Sequence, residues 1–331
     1  MNATRRRLAL AGLGVALGLG LGVGRSLGPA AEGGSEVVFV VSPGAPLGRV
    51  ARDLEAEGLV RSRLAVEALG RLRGVADELR SGEYALSASL SPAQILARIV
   101  EGRVRTLEVV IPEGFTAAEI ARRLDDAGLA DAEAFLTVVR DAELPAALGV
   151  EGESLEGYLF PETYHLARGL DPREIARTFV AEFLRAWPSL EPDARARGLS
   201  MRETVTLASI VEKETGAPDE RPLIASVFHN RLARRMRLES DPTTIYGIPD
   251  FDGNLRRTDL EDAKNPYNTY RIPALPPGPI ANPGLAALRA VVEPAASDYL
   301  YFVSRNDGKH IFSRSYADHT QAVHRYQRSR P

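Results

Sequence analysis

The stretch TLASIVEKETG, Thr206 to Gly216, reads as the end of an apolar helix that carries two carboxylates one residue apart. Ser200 and Glu203 form the S-x-x-E capping pattern that starts the helix near Met201, and Gly216 stops it. With Val205 set at 0° and a step of about 100° per residue, Ile210, Leu207 and Val211 fall at about 140°, 200° and 240°. Glu214 falls at about 180°, in the centre of that stripe, and Glu212 at about 340°, beside Val205 and Ala208. Lys213 points away from the stripe. Glu214 therefore stands where a leucine belongs. A carboxyl in apolar surroundings is costly to ionise, so its pKa rises, which is what a general acid needs at neutral pH. The competing reading is a helix-end carboxylate in a structural salt bridge with Arg221 or Arg231.

Around this helix the sequence places polar groups in rigid frames. SVFHNRLARRMRLESDPTTIYG (Ser226 to Gly247) and NPYNTYRIPALPPGPIANPG (Asn265 to Gly284) set Asn, Thr and Tyr among prolines. Such surfaces offer fixed hydrogen bonds and stacking faces, which suit sugars, although ordinary structured loops share the composition. Met236 to Pro283 reads as loop-rich. Helices are expected at Pro172–Ala186, Met201–Thr215, Asp219–Arg234, Gly284–Val292 and Tyr316–Arg328. EGYLFPETYHL (Glu156 to Leu166) reads as a strand-like run broken by Pro161. YLYFVSRNDGKHIFS reads as a strand pair turned at NDG.

Toward the N-terminus two segments echo each other at an offset of 70 residues: FVVSPGAPLGRVARDLEAEGLV from Phe39 and VVIPEGFTAAEIARRLDDAGLA from Val109. Each reads as a short strand, a turn with glycine, an amphipathic helix and a glycine stop. A second helix follows each, Arg63–Leu72 and Asp131–Arg140. With SGEYALS (Ser81 to Ser87) as a returning strand, the first unit resembles a LysM-like module. Glycan binding by the repeat and a plain packing role both stay open, because Tyr84 and Phe115 are its only evident aromatic platforms for a sugar.

At 331 residues, with 44% hydrophobic and 26% charged, the chain is globular and long enough for two or three cores. A net charge of −3 offers no argument for nucleic acid. The absence of cysteine excludes disulfides, thiolate metal sites and a thiol nucleophile. The five histidines form no H-E-x-x-H pattern. The three lysines, Lys213, Lys264 and Lys309, sit in settings that argue against a Schiff base. Arg5, Arg6 and Arg7 precede an uncharged run, Leu8 to Gly24, that at about 1.5 Å per residue nearly spans a bilayer core. Basic residues stay on the cytoplasmic side. The expectation is a retained span rather than a cleaved signal peptide.

Seven motifs carry a resemblance to a known family: EGYLFPETY, ASIVEKET, ASVFHNRL, MRLESDPTTIYG, YNTY, LPPGPIANPG and YLYFV. Together they resemble the YceG-like endolytic murein transglycosylases over essentially the whole chain. The expected fold class is α+β. The expected order is a cytoplasmic tail (1–7), a transmembrane helix (8–25), a linker (26–36), a LysM-like module (37–105) and a catalytic domain (106–331) whose first part, 106–143, echoes the module. The resemblance implies a single-pass protein of the cytoplasmic membrane with its catalytic domain outside. It implies cleavage of the MurNAc-β-1,4-GlcNAc bond inside peptidoglycan strands, giving 1,6-anhydro-MurNAc ends and terminating nascent strands. In the family the second glutamate of E-K-E is catalytic, which here is Glu214. Glu162 and Asp241 are candidates to bind sugar or orient Glu214. Asn230, Tyr246, Asn268 and Tyr270 are candidates for substrate contact. No cofactor and no metal are implied. The partners are peptidoglycan glycan strands, with peptidoglycan synthases (penicillin-binding proteins) as further candidates. Two other readings stand beside this one: a muramidase-type hydrolase using Glu214 with Asp241, and a non-catalytic, membrane-tethered glycan-binding scaffold.

Overall fold

The computed structural model describes residues 25–328. The expected span at residues 8–24 lies outside them. Among the described residues no helix is long and apolar enough to cross a membrane. The chain forms two compact units. The first comprises the described residues up to Leu107 together with His165–Gly169, and the second Glu108–Tyr164 and everything from Leu170.

In the first unit, strand β1 (Val37–Val41) is followed by helices α1 (Leu47–Ala56) and α2 (Arg63–Leu72), strand β2 (Gly82–Leu86) and helix α3 (Pro92–Glu101). β1 and β2 pair antiparallel with Phe39 opposite Tyr84. Alternation along β1 sends Phe39 and Val41 inward, where they meet Val50 and Leu54 of α1 and Ile95 and Ile99 of α3. Ser91 caps α3 in a reciprocal box with Gln94, and Gly102 ends it in a left-handed conformation. Tyr84 is a core residue, fully buried, with its hydroxyl donating to the carbonyls of Arg80 and Ile99. Its ring is unavailable as a sugar platform.

Strand β3 (Thr106–Val110), helices α4 (Ala117–Asp126), α5 (Ala132–Val139) and α6 (Leu144–Leu148), and strand β4 (Thr163–Ala167) come next, and β3 pairs with β4. The echo of the first module thus acquires its own returning strand. The boundary between the units falls within both strands. Of EGYLFPETYHL only the part after Pro161 is a strand. Glu156 to Phe160 form turns that hold Tyr158 and Leu159 in the core.

The second unit continues with α7 (Pro172–Ala186), α8 (Glu191–Ala196), α9 (Met201–Glu214) and α10 (Arg221–Ala233). Two short helices, α11 (Asp241–Tyr246) and α12 (Arg257–Glu261), interrupt the stretch expected to be loop. They are too short for periodicity to announce. Helix α13 (Leu285–Val292), the hairpin β5 (Tyr301–Ser304) and β6 (His310–Ser313), and α14 (Tyr316–Val323) complete it. The hairpin turn uses left-handed Asn306 and Gly308, as NDG implies.

Helix α9 is the centre of this unit. The Ser200–Glu203 capping box starts it, and it packs against α10 and α13. Every residue from Thr204 to Val211 is buried, so the helix has no polar face along that stretch. The Glu212 side chain is enclosed as well: it is 6% exposed and pairs with Arg221 at 2.7 Å. Its other oxygen accepts the Gly284 N–H at 3.0 Å. The salt bridge to Arg221 that was weighed for Glu214 belongs to Glu212. Breaking one side of a buried pair costs about 3–5 kcal/mol, because the remaining charge stays desolvated. Glu212→Gln should therefore lower stability by about 3 kcal/mol, read as a lower midpoint in urea unfolding at unchanged slope. An unshifted midpoint would remove the pair from the list of structural supports.

Candidate active site

Glu214 closes α9 and opens into a pocket of about 440 Å³. The pocket is built by four parts of the chain. α9 supplies Glu214; α10 and the loop after it supply Arg231, Leu238 and Glu239; Asp241 and Tyr270 come from the Met236–Pro283 stretch; and the C-terminal hairpin and helix supply Phe302, Ser304, His310 and His319.

The group in direct contact with Glu214 is Ser240. Its hydroxyl donates to Glu214 Oε1 at 2.6 Å. Ser240 stands at the N-cap position of α11, where a serine hydroxyl ordinarily receives an N–H of the first turn. Here it makes no such bond, because it is turned to the carboxyl. Ser240 is itself fixed: its N–H donates to Thr269 Oγ1 at 2.9 Å, and Thr243 Oγ1 donates to its carbonyl at 2.7 Å. The preceding residue, Glu239, adopts φ 52°, a left-handed conformation that costs a non-glycine residue roughly 1 kcal/mol. Arg231 holds this bend. Its guanidinium is buried and donates to the carbonyls of Arg237 and Leu238, to Glu239 Oε2, and on its other side to the carbonyl of Leu300.

Burial pushes the Glu214 carboxyl up to about 7. The Ser240 hydrogen bond opposes this, nearby Asp241 reinforces it, and the Arg231 charge opposes it again. Glu214 is thus poised between protonated and ionised at neutral pH.

The sequence candidates separate into two groups. Asp241 and Tyr270 share the pocket with Glu214, and the Tyr270 hydroxyl donates to Asp241 Oδ1 at 2.7 Å. The other four lie elsewhere. Glu162 lines a separate cavity of about 330 Å³ with Glu113 and Arg185. Asn230 gives its amide to the carbonyls of Ser297 and Tyr299, fastening α10 to the chain before β5. Asn268 is fully buried, and its amide donates to the carbonyls of Asp259, Leu260 and Asp262, shaping the loop around α12. Tyr246 donates to Glu156 Oε2 at 3.1 Å beside a different, larger pocket.

Four contributors escaped the sequence reading. Ser240 lay inside a quoted motif, and its position just before Asp-Pro signals a helix start rather than a ligand to a carboxyl. In sequence Arg231 reads as a salt-bridge partner, and His310 and His319 read as histidines outside any metal motif. His310 Nδ1 lies 2.7 Å from Glu220 Oε2. His319 stacks on Tyr301 at 5.2 Å between ring centres, and burial holds its imidazole below the usual range. Among the described residues no group of His, Asp and Glu is arranged to hold a metal ion.

A model of the YceG-like family matches residues 39–325. The chain is 27% identical over 306 residues to an endolytic murein transglycosylase of Bacillus subtilis, across 86% of this chain and 83% of the relative. It is 29% identical over 318 residues to an endolytic murein transglycosylase of Streptococcus pneumoniae, across 87% of this chain and 58% of that longer protein. The 2.6 Å crystal structure of a YceG-like protein of Listeria monocytogenes matches with a TM-score of 0.60 at 29% identity, over 88% of this chain and 100% of that one. The motif match, the extent of the family match and the shared fold agree: this chain belongs to the YceG-like family.

Proposed function

We propose that this protein is an endolytic murein transglycosylase, a lyase that cuts peptidoglycan glycan strands internally without water, with Glu214 as its catalytic acid and base. One observation carries the assignment of the residue. The Glu214 carboxyl, raised to about 7, lines a pocket of suitable size beside Asp241 and Glu239 with one oxygen held by Ser240, whereas Glu156, also raised to about 7, is taken up by the Ala117 N–H, the Tyr246 hydroxyl and the Asn282 amide. The names of the Bacillus and Streptococcus relatives support the reaction and its substrate.

The family resemblance implies the steps, and the geometry supports Glu214 as the group that carries them. Ser240 occupies Oε1, which leaves Oε2 to carry the proton. Glu214 donates this proton to the glycosidic oxygen as the bond from MurNAc C1 breaks. Positive charge develops at C1, and the acetamide of the same sugar helps to stabilise it. The MurNAc C6 hydroxyl then attacks C1 and passes its proton to the Glu214 carboxylate. The product is 1,6-anhydro-MurNAc, and the enzyme is returned protonated. One carboxyl serves both steps, whereas a typical glycosidase uses two. Asp241, oriented by Tyr270, and Arg231 flank the site and bias the charge of Glu214 in opposite directions.

The remaining organisation is part of the same reading. Residues 8–25 anchor the chain in the cytoplasmic membrane with both units outside. The LysM-like unit positions glycan, and peptidoglycan synthases are candidate partners.

Glu214→Gln keeps the shape but can neither donate nor accept the proton. Turnover of purified peptidoglycan should fall by about 10²–10⁴-fold with folding unchanged. Mass spectrometry of the products tests the chemistry. Anhydro ends support the lyase, and reducing ends would establish a hydrolase.

The pH profile provides a separate test. The acid step needs protonated Glu214, so kcat/KM should fall as pH rises through about 7. Ser240→Ala removes a hydrogen bond that favours the ionised form, so the carboxyl pKa rises. The falling limb should move to higher pH in that variant. A limb that stays in place, or moves down, would dissociate it from Glu214.

A further inference from the structure

The β5–β6 hairpin brings a histidine and a buried glutamate to the Glu214 pocket. Its turn packs on the chain just past Glu214: a Cβ on Gly216 would lie 3.0 Å from the Gly308 carbonyl oxygen. His310, the first residue of β6, thus arrives beside the end of α9 and lines the pocket with Glu214. Phe302 of β5 meets its imidazole edge to face, at 5.4 Å between ring centres.

The partner of His310 is Glu220. Glu220 stands at the N-cap of α10 but makes no capping bond there. Both of its oxygens go to His310 instead. Oε1 accepts the His310 backbone N–H at 3.1 Å, and Oε2 lies 2.7 Å from Nδ1. The His310 and Glu220 side chains are 11% and 10% exposed. The backbone bond is enough to fasten the hairpin to α10; the second bond fixes the ring. A carboxylate can only accept, so Nδ1 carries the ring proton and Nε2 of the neutral imidazole keeps a lone pair. Among the described residues Nε2 has no hydrogen-bond partner, yet it is not sealed from solvent as the unpartnered Nδ1 of His319 is. A buried carboxyl therefore orients an imidazole whose other nitrogen is open, on the wall of the pocket that holds Glu214.

We propose that His310 is a substrate-binding residue of this pocket and Glu220 its positioning residue, with His310 Nε2 accepting a hydrogen bond from a hydroxyl or acetamide N–H of the sugar seated beside Glu214. The proposal rests on the glycan-cleaving reading for the identity of the substrate. It gives the dyad a function that a tie between hairpin and helix would not need, because a tie has no use for the open nitrogen.

Two isosteric variants separate contact from support. In His310→Asn the amide nitrogen replaces Nδ1 and keeps a donor against Glu220, but nothing replaces Nε2. Its urea midpoint should stay near that of the wild type, while KM for peptidoglycan strands rises about fivefold, the worth of one hydrogen bond, with a smaller effect on kcat. In His310→Gln the amide reaches the Nε2 position, so part of the affinity should return. An unchanged KM in His310→Asn would overturn the proposal.

Nitrogen NMR gives an arm that needs no turnover. The whole chain carrying Glu214→Gln, labelled at histidine and held in detergent, is titrated with a GlcNAc–MurNAc tetrasaccharide. The His310 signals are assigned by their loss in His310→Asn. Before titration Nδ1 should be protonated and Nε2 bare, and the Nε2 signal should shift saturably with sugar. A protonated Nε2 in the free protein, or a His310 signal that does not respond to the sugar, would overturn the proposal. If the wild type instead yields reducing ends, the lyase reading fails, and the titration still decides whether His310 meets the sugar.

Discussion

The amide of Asn282 is the junction on which the catalytic unit depends. Its Oδ1 accepts the N–H groups of Gly157 and Leu159, at 2.8 and 2.9 Å. Its Nδ2 donates to the carbonyl of Phe115 and to Glu156 Oε1, at 2.9 and 2.8 Å. Its backbone exchanges further bonds with Gly114 and Phe115. Three segments far apart in sequence thus meet at one fully buried side chain. Losing it would strand several buried donors and acceptors, at roughly 1–3 kcal/mol each. The approach is close enough to require glycine at 157, where φ is 91° and a Cβ would collide with Pro279 and Val205.

The stretch pinned by Asn282 in turn fixes α9. The Ile280 N–H donates to Ser209 Oγ, the Gly284 N–H donates to Glu212, and the Lys213 ammonium donates to the Gly114 carbonyl. Glu214 is the next residue along this restrained helix. Its position is therefore set by contacts made on the other faces of α9, which leaves its own carboxyl free for a single hydrogen bond from Ser240. Two glutamates in one helical turn acquire opposite roles this way. Glu212 is neutralised by Arg221 and becomes structure. Among the described residues Glu214 has no ion pair, so burial can raise its proton affinity.

Local order was well marked in the sequence. Pro172–Ala186 and the Ser200 start of α9 follow from period and capping, and the β5–β6 hairpin from its NDG turn. The family motifs also pointed to Glu214, and helical phase placed it on an apolar stripe. Phase set Glu212 beside Val205 and Ala208 without telling that this side is buried too, because α9 is enclosed on all sides from Thr204 to Val211. The short α11 and α12 were missed because six and five residues are too few to show a period. Asn230, Tyr246 and Asn268 look like sugar contacts in sequence, since an amide or hydroxyl among prolines reads alike whether it faces a ligand or the backbone. In the fold their polar atoms serve two carbonyls, Glu156 and a loop.

The sequence by itself determined the α+β class, the strand–helix–helix echo, the ends of the longer helices and the family. Each is encoded by neighbours a few residues apart or by a string of motifs. Tertiary structure alone decided the identity of the groups around Glu214. Ser240 lies 26 residues from it along the chain, and His310 and His319 come from the far end. It also decided which glutamate found an arginine. Ion pairing, desolvation and hydrogen-bond saturation depend on distances between remote segments, and those distances exist only once the core around Asn282 has closed.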